Sequence, residues 1–245
     1  MNNIQVEINC DAGEGIADEK RIFPFINSCS IACGGHAGSL STMTKSVELA
    51  LKNNLKIGAH PSYPDKDNFG RVSMKLSPKN LQSSILHQLK NLETVLGTKG
   101  IKLHHIKAHG ALYNDMAKDP TIAAVYLAGI TEYRDSTFLY VPYNSVVANM
   151  ALEQGFKIKY EAFADRNYND DLSLVSRKHK NSLILEPEKV LDHVLQIAKN
   201  KTVVTVEGTK QKLKADTFCV HGDTKSALEI VSYIRQMIPN HNTPN

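Results

Sequence analysis

Residues 103–114, LHHIKAHGALYN, place three histidines and a lysine in a short β-type run that leads into a glycine-containing turn. Because strand side chains alternate between two faces, the pattern predicts His105, Lys107 and His109 on one face and His104 on the other, toward the helices. Two imidazoles and an ammonium group on one face could carry out acid–base catalysis and stabilise a developing negative charge. Taken alone, the stretch is also typical of a hydrogen-bonded polar core, in which His105 would lie too deep to meet a substrate.

Glycine-bearing polar clusters follow six of the β-type runs in the chain. In parallel α/β architectures the carboxyl ends of the strands face one mouth, where active sites are built. A single residue such as Asp11 or Asp223 could simply cap a helix, but six clusters favour a shared functional site. The clusters are residues 9–15, 32–38, 58–61 with 69–71 downstream, 107–110, 163–166 and 220–223.

The presence or absence of known sequence motifs limits the ligands and reactions that this site could support. Asp11, His36 and His60 could form a metal triad with an open coordination position, although the chain has neither His-x-His nor H-E-x-x-H spacing. The sequence therefore neither predicts nor excludes a bound divalent metal ion. The sequence lacks G-x-G-x-x-G and G-x-x-x-x-G-K-[ST], so it carries no recognisable nucleotide pocket, and it lacks the G-x-S-x-G elbow of α/β serine hydrolases.

Seven β-type runs alternating with helical patterns must position these clusters. Repeated βα alternation implies parallel strands joined by right-handed crossovers. We predict an α/β fold, an irregular seven-stranded (β/α) barrel of the TIM-like type, with a doubly wound open sheet as the alternative. The runs cover residues 4–10, 28–33, 55–59, the start of 103–114, 137–142, 156–164 and 216–220; the helical patterns cover about 18–27, 39–54, 78–97, 119–133, 145–154, 187–200 and 223–237.

The length of 245 residues suits one large domain. We predict a single barrel domain over residues 1–238, with a small hairpin at about 202–215 and a flexible tail at 239–245. Ser39 or Ser41 is expected to cap the helix that follows it, and Ser77 with Pro78 to begin the long helix at 78–97.

Composition excludes several classes of partner. Apolar residues make up 42% and charged residues 22%, and the net charge of +4 is spread along the chain, so neither a nucleic-acid nor a membrane partner is expected. No apolar run is long enough to cross a bilayer. The four cysteines show no C-x-x-C spacing, which predicts a reduced, cytoplasmic protein.

Taken together, the polar loops resemble those of the LamB/YcsF family. The resemblance spans essentially the whole chain in the right order. The motifs that carry it are NCDAGEG (9–15), SIACGGHAG (30–38), IGAHPSYPD (57–65) with FGR (69–71), KAHGALYN (107–114), FADRNY (163–168) with LVSR (174–177), and CVHGD (219–223).

This resemblance implies a barrel similar to those of the glycoside hydrolase/deacetylase superfamily. It further implies the first of three components of a prokaryotic ATP-dependent 5-oxoprolinase, a hydrolase that opens the lactam of 5-oxo-L-proline to L-glutamate. Two partners, subunits B and C, are implied to handle the ATP-dependent activation. ATP, accompanied by Mg²⁺, would then be consumed by the complex and bound mainly by those partner subunits.

The polar clusters and the resemblance together nominate the site residues. We hypothesise that Asp11, Glu14 or Asp223 is the general base, and that His109 or His221 transfers protons. Lys107 and Arg166 would stabilise the oxyanion or the substrate carboxylate. The candidate catalytic residues are Asp11, Glu14, His36, His60, Lys107, His109, Asp165, Arg166, His221 and Asp223; the candidate substrate-binding residues are Asn9, Gly34, Arg71, Tyr113 and Asn114.

The chain departs from the family pattern at several loop positions. Gly35 stands where the family has Phe, Ser39-Leu40 where it has Asp-Pro, Ser62 where it has Gly, and Ala108 where it has Pro. A roomier pocket wall near Gly35 is therefore expected. Two alternative functions remain: a stand-alone metal-dependent amidase or deacetylase, and a non-catalytic substrate-binding subunit.

Overall fold

The computed structural model describes residues 4–16 and 18–239. Seven parallel strands close into a barrel in the order β1-β2-β3-β4-β5-β6-β9, and β9 pairs with both β1 and β6. The predicted α/β barrel is confirmed, and the open-sheet alternative is wrong because the two edge strands pair. The strands are β1 (Ile8–Ala12), β2 (Ser28–Ala32), β3 (Lys56–His60), β4 (His105–Ile106), β5 (Phe138–Pro142), β6 (Ile158–Phe163), β7 (Thr202–Val204), β8 (Lys210–Lys212) and β9 (Thr217–Cys219).

Helices surround this barrel and pack on it through apolar faces. β7 and β8 pair antiparallel, as the predicted hairpin requires. None of the helices in the described ranges is long and apolar enough to cross a membrane. The helices are α1 (Glu19–Ile22), α2 (Leu40–Lys52), α3 (Pro78–Gly97), α4 (Gly110–Lys118), α5 (Pro120–Gly129), α6 (Val146–Glu153), α7 (Pro187–Asn200) and α8 (Ala227–Met237), with short 3₁₀ turns at Phe23–Phe25 and Thr131–Tyr133.

Local capping chemistry determines where several helices begin. The Ser39 hydroxyl accepts the backbone N–H of Thr42 at the start of α2, and the Ser77 hydroxyl accepts that of Asn80 at the start of α3. Both caps confirm the predicted boundaries. The helix predicted at 119–133 begins where expected, because Asp119 caps α5 at Pro120, but it ends at Gly129 and a separate 3₁₀ turn covers Thr131–Tyr133. The preceding helix α4 was not predicted.

Residues 1–3, Ala17 and the tail from residue 240 lie outside the described residues. The division into one domain over 1–238 and a flexible tail therefore stays a prediction. The described part shares one hydrophobic core, in which barrel strands, α2, α3, α7 and α8 all bury apolar side chains.

The alternation predicted for the β4 region continues beyond the strand itself. The backbone N–H of Lys107 donates to the Ala59 carbonyl at 2.9 Å, and that of His109 donates to the Pro61 carbonyl at 2.8 Å. These ladder bonds hold Lys107 and His109 at successive levels inside the carboxyl-terminal half of the barrel.

The two remaining histidines of this stretch lie farther from the mouth. His105 is fully buried, its Nε2 lies 3.0 Å from the Ser30 hydroxyl, and its ring stacks on Tyr140 at 4.0 Å. His104 lies beside Phe138 at the amino-terminal end of the barrel. Both are therefore remote from the mouth, as expected for His105.

The barrel interior is organised around the ammonium group of Lys107. Its Nζ lies 2.8 Å from Asp11 Oδ1 and 2.9 Å from Glu161 Oε1, and it donates to Asn9 Oδ1 and Cys219 Sγ at 3.1 Å each. Lys107 and Glu161 are each only 2% exposed. Burial opposes the charged amine, but Asp11, Cys219 and Glu161 together outweigh it and hold the pKa of Lys107 well above its ordinary value.

Replacing Lys107 by Met should lower the free energy of unfolding by about 3–5 kcal/mol, because it leaves the buried Glu161 carboxylate without a counter-ion and Asp11 with only His60. Adding Glu161→Gln to this variant should restore part of the loss. Urea denaturation measures both changes. The control is Lys99→Met, which removes an exposed pair with Glu48 and should cost less than about 1 kcal/mol. Equal stability of the two single variants would contradict the charge-balance argument.

Candidate active site

A cavity of about 500 Å³ opens at the carboxyl ends of the barrel strands. This is where the polar clusters were predicted to converge, and five of the six contribute to its lining. The predicted site residues that line it are Asp11, His60, Arg71, Lys107, His109, Tyr113, Asn114, Arg166 and His221. The others, Asn9, Glu14, Gly34, His36, Asp165 and Asp223, are not among its lining residues.

Four side chains converge at one wall of this cavity: Glu14, His36, His60 and His109. We call this group the histidine cluster. Their potential ligand atoms all lie within 4.8 Å of one another. Glu14 Oε1 lies 2.7 Å from His36 Nε2 and 3.3 Å from His109 Nδ1, and His109 Nδ1 lies 2.9 Å from His60 Nε2. The rings of His36 and His109 stack at 3.7 Å. This donor set could hold a metal ion.

The predicted metal triad of Asp11, His36 and His60 is corrected by this geometry. Two of its members belong to the histidine cluster, but Asp11 is not one of the clustered donors. One Asp11 oxygen pairs with Lys107, and the other lies 3.2 Å from His60 Nε2. Glu14 is the carboxylate that the cluster contains.

Burial and neighbouring charges shift the pKa values of these groups in different directions. It lowers the pKa of His36 to about 3 and that of His109 to about 2, with a contribution from the charge of His60, so both imidazoles are neutral near pH 7. Burial also lowers the pKa of His60, but the charge and hydrogen bond of Asp11, together with the Glu14 charge, raise it above its ordinary value overall. Burial, followed by the Asp11 charge, raises the pKa of Glu14.

Asp11 is the carboxylate that stays ionised. Burial opposes its charged form, yet the charges of His60 and Lys107 hold the pKa of Asp11 well below its ordinary value. Because Asp11 lines the cavity, it presents a carboxylate to whatever enters.

A second carboxylate and imidazole face each other just beyond the ends of the neighbouring strands β6 and β9. His221 Nδ1 lies 2.9 Å from Asp165 Oδ1, while Asp165 Oδ2 accepts the Thr224 hydroxyl at 2.6 Å and the His221 backbone N–H at 3.1 Å. The His221 ring stacks on Phe163. Burial opposes ionisation of Asp165, but the His221 charge and these hydrogen bonds lower its pKa. A carboxylate in this position fixes the proton on Nδ1 and leaves Nε2 for proton exchange.

Two predicted catalytic residues are committed to other contacts. Arg166 donates to the backbone carbonyls of Ser182 at 3.2 Å and Val175 at 2.7 Å, so it orders the loop above the cavity. Asp223 pairs with Arg71 at 2.8 Å and Arg177 at 3.1 Å on the exposed rim. Burial opposes its ionisation, but the Arg177 charge lowers the pKa of Asp223. The two arginines hold Asp223 at the rim, and it is not among the residues that line the cavity.

The predicted substrate-binding residues do not all reach the cavity. Asn9 supports Lys107 and donates to the Thr217 hydroxyl, and Gly34 forms a turn with φ of +105°, so neither lines the cavity. Asn114 reaches the cavity, although its amide donates to the Gly110 carbonyl. Tyr113 is buried; burial and the neighbouring Glu161 charge raise its pKa.

The expected extra room near Gly35 is absent. A Cβ built on Gly35 would lie 2.3 Å from Gln88 Oε1 and 2.3 Å from Ser62 Oγ, so these side chains fill the space. Gln88 is held there by hydrogen bonds to both the backbone N–H and the carbonyl of Ser62. Two of the departures from the family pattern, at positions 35 and 62, therefore compensate each other.

Sequence reasoning missed Glu161 and Arg177 as parts of the site. The signal that could have found Glu161 was the two-residue alternation of side chains along a strand. It places Glu161 on the same inward face of β6 as Phe163. Arg177 belongs to a motif that carried the family resemblance, but only its contact with Asp223 marks it as a rim residue.

Known proteins resemble this chain over nearly its whole length. A protein of Pyrococcus abyssi, named as the A subunit of 5-oxoprolinase, is 40% identical over 240 residues, which cover 96% of this chain and 94% of that protein. A protein of the same name from Staphylococcus haemolyticus is 38% identical over 240 residues and is covered to 96%. The crystal structure of a lactam utilization protein from Thermus thermophilus superposes with a TM-score of 0.87 at 32% identity, covering 95% of each chain.

The family match agrees with these relatives and with the predicted loop motifs. The model of the LamB/YcsF family matches residues 6–244, a range that includes every strand and helix described above. The chain belongs to the LamB/YcsF family.

Proposed function

We propose that this chain is the lactam-binding component of an ATP-dependent 5-oxoprolinase and hydrolyses the lactam of 5-oxo-L-proline to L-glutamate. The names of the relatives support this proposal, since they match over almost their full length. The observation that carries it is the convergence of Asp11, Lys107 and His221 on one cavity of about 500 Å³, large enough for a five-membered lactam.

Opening an unstrained lactam needs a base for water, a cation for the oxyanion and an acid for the departing amine. Asp11, held ionised by its neighbours, would accept the proton of the attacking water. The Lys107 ammonium would stabilise the negative charge that develops on the carbonyl oxygen. His221, oriented by Asp165, would protonate the ring nitrogen as the C–N bond breaks.

ATP and the partner subunits enter this proposal together. Transfer of the γ-phosphoryl group of ATP to the amide oxygen, with release of ADP, would make the ring carbon electrophilic. Water addition and C–N cleavage would then leave an acyl phosphate, which a second water would hydrolyse to phosphate and L-glutamate. The absence of a phosphate-binding loop motif in the sequence supports ATP and Mg²⁺ being bound mainly by subunits B and C. The cationic rim of Arg71 and Arg177 would face such an activated substrate. Free, buried thiols at all four cysteines support a cytoplasmic location.

The histidine cluster favours one alternative, a stand-alone metal-dependent amidase or deacetylase. The other alternative is a component that binds the substrate without acting on it. The three functions differ in their requirement for ATP, for partner subunits and for the cavity side chains.

Glutamate release from 5-oxo-L-proline should require this chain, subunits B and C, and ATP together. The measurement is glutamate produced by each component alone and by the full mixture. Release by this chain alone without ATP, or release of acetate from acetylated sugars, would favour the stand-alone amidase or deacetylase.

Substituting His221 with Asn should lower kcat of the full mixture by about 100- to 10,000-fold, because Asn can keep the contact with Asp165 but cannot transfer the proton. His87→Asn on the exposed face of α3 is the matched control and should leave kcat unchanged. Circular dichroism verifies that both variants fold. Near-normal turnover by folded His221→Asn protein would remove His221 as the acid and favour the non-catalytic alternative.

A further inference from the structure

Two imidazoles of the histidine cluster direct nitrogen lone pairs at each other. His60 Nδ1 lies 2.8 Å from the Lys107 carbonyl, and His109 Nε2 lies 3.0 Å from the Phe69 carbonyl. A carbonyl can only accept, so these two ring nitrogens carry the hydrogens. The facing atoms, His60 Nε2 and His109 Nδ1, are then both acceptors in neutral rings, yet they lie only 2.9 Å apart. A shared proton or a metal cation between them makes this contact favourable.

The remaining members of the cluster extend the same arrangement to four donors. Glu14 Oε1 lies 2.7 Å from His36 Nε2, 3.3 Å from His109 Nδ1 and 3.8 Å from His60 Nε2. Ligand atoms around a tetrahedral zinc ion with bonds of about 2.0–2.1 Å are separated by about 3.3 Å. The observed separations bracket that value. His36 is 3% exposed, and its Nδ1 makes no hydrogen bond with any described residue.

We propose that Glu14, His36, His60 and His109 bind a divalent transition-metal ion of the zinc class at the wall of the cavity. Three imidazoles and one carboxylate suit such an ion better than Mg²⁺ or Ca²⁺, which prefer oxygen ligands. Hydrogen bonds from the far nitrogens of His60 and His109 to backbone carbonyls are the outer support that metal-binding histidines usually have.

The proposed metal lies where it can take part in hydrolysis. His60 and His109 line the cavity, and Asp11 Oδ2 lies 3.2 Å from His60 Nε2 on the same wall. Such an ion supplies Lewis-acid activation of water and of a carbonyl group. The inference deepens the proposed hydrolase function, but metal occupancy is measured without turnover, so the two can fail separately.

The test is titration of chelator-treated protein with CoCl₂ and, separately, with ZnCl₂. We expect one ion per chain, a visible d–d spectrum for the cobalt form, and its loss when zinc is added. His109→Ala and Glu14→Gln should each weaken binding by more than about 100-fold, since each removes a ligand. His87→Ala, which lies on the exposed face of α3, should bind as tightly as the unaltered chain.

Folding is verified by circular dichroism, and Glu14→Gln preserves the size of the side chain if the alanine variant fails to fold. Failure of the folded, unaltered chain to bind either ion would overturn the proposal and leave a shared proton between His60 and His109. Binding that survives unchanged in folded Glu14→Gln and His109→Ala protein would place the ion elsewhere and would equally overturn it.

Discussion

The balance of charge inside the barrel is the constraint on which the rest of the site depends. Lys107 lies between Asp11 and Glu161, and none of the three can be buried without its counter-ion except at a cost of several kcal/mol. They come from β1, β6 and the segment after β4, so the ion pairs form only when the barrel closes. The barrel closure that buries Asp11 therefore also brings the cations that keep it ionised.

A second layer of side chains lies above these buried ions, at the mouth of the barrel. Hydrogen-bond acceptors there determine which ring nitrogen of each histidine carries the proton. The carbonyls of Lys107 and Phe69 fix the tautomers of His60 and His109, and Asp165 does the same for His221. The two layers have different tasks, because the buried ions supply fixed charge while the histidines above them supply proton exchange and metal-binding donors. Asp11 contacts both layers, which explains why its environment governs the acid–base behaviour of its neighbours.

Family membership leaves room for changes that preserve the site. Gly35 differs from the family pattern, yet Gln88 and Ser62 occupy the space that it vacates, so the wall remains packed. The rim behaves differently, since Asp223 sits between Arg71 and Arg177 and holds two cations at the entrance. An anionic substrate can exchange with that carboxylate at small cost because the pairs are partly exposed.

The sequence by itself determined the alternation of strands and helices, the barrel, the family, and the gathering of polar clusters at one mouth. Those features follow from period-two and helical patterns and from the common direction of parallel strands. Only the tertiary structure decided which side chains contact one another. Period two gives the face of a strand but not the residue opposite it, so the pairing of Glu161 with Lys107 appeared only once the strands were staggered around the barrel. In the same way, only the structure shows that two arginines from distant loops pair with Asp223 at the rim. It also shows that Glu14 is the carboxylate whose oxygen lies near all three imidazoles of the cluster.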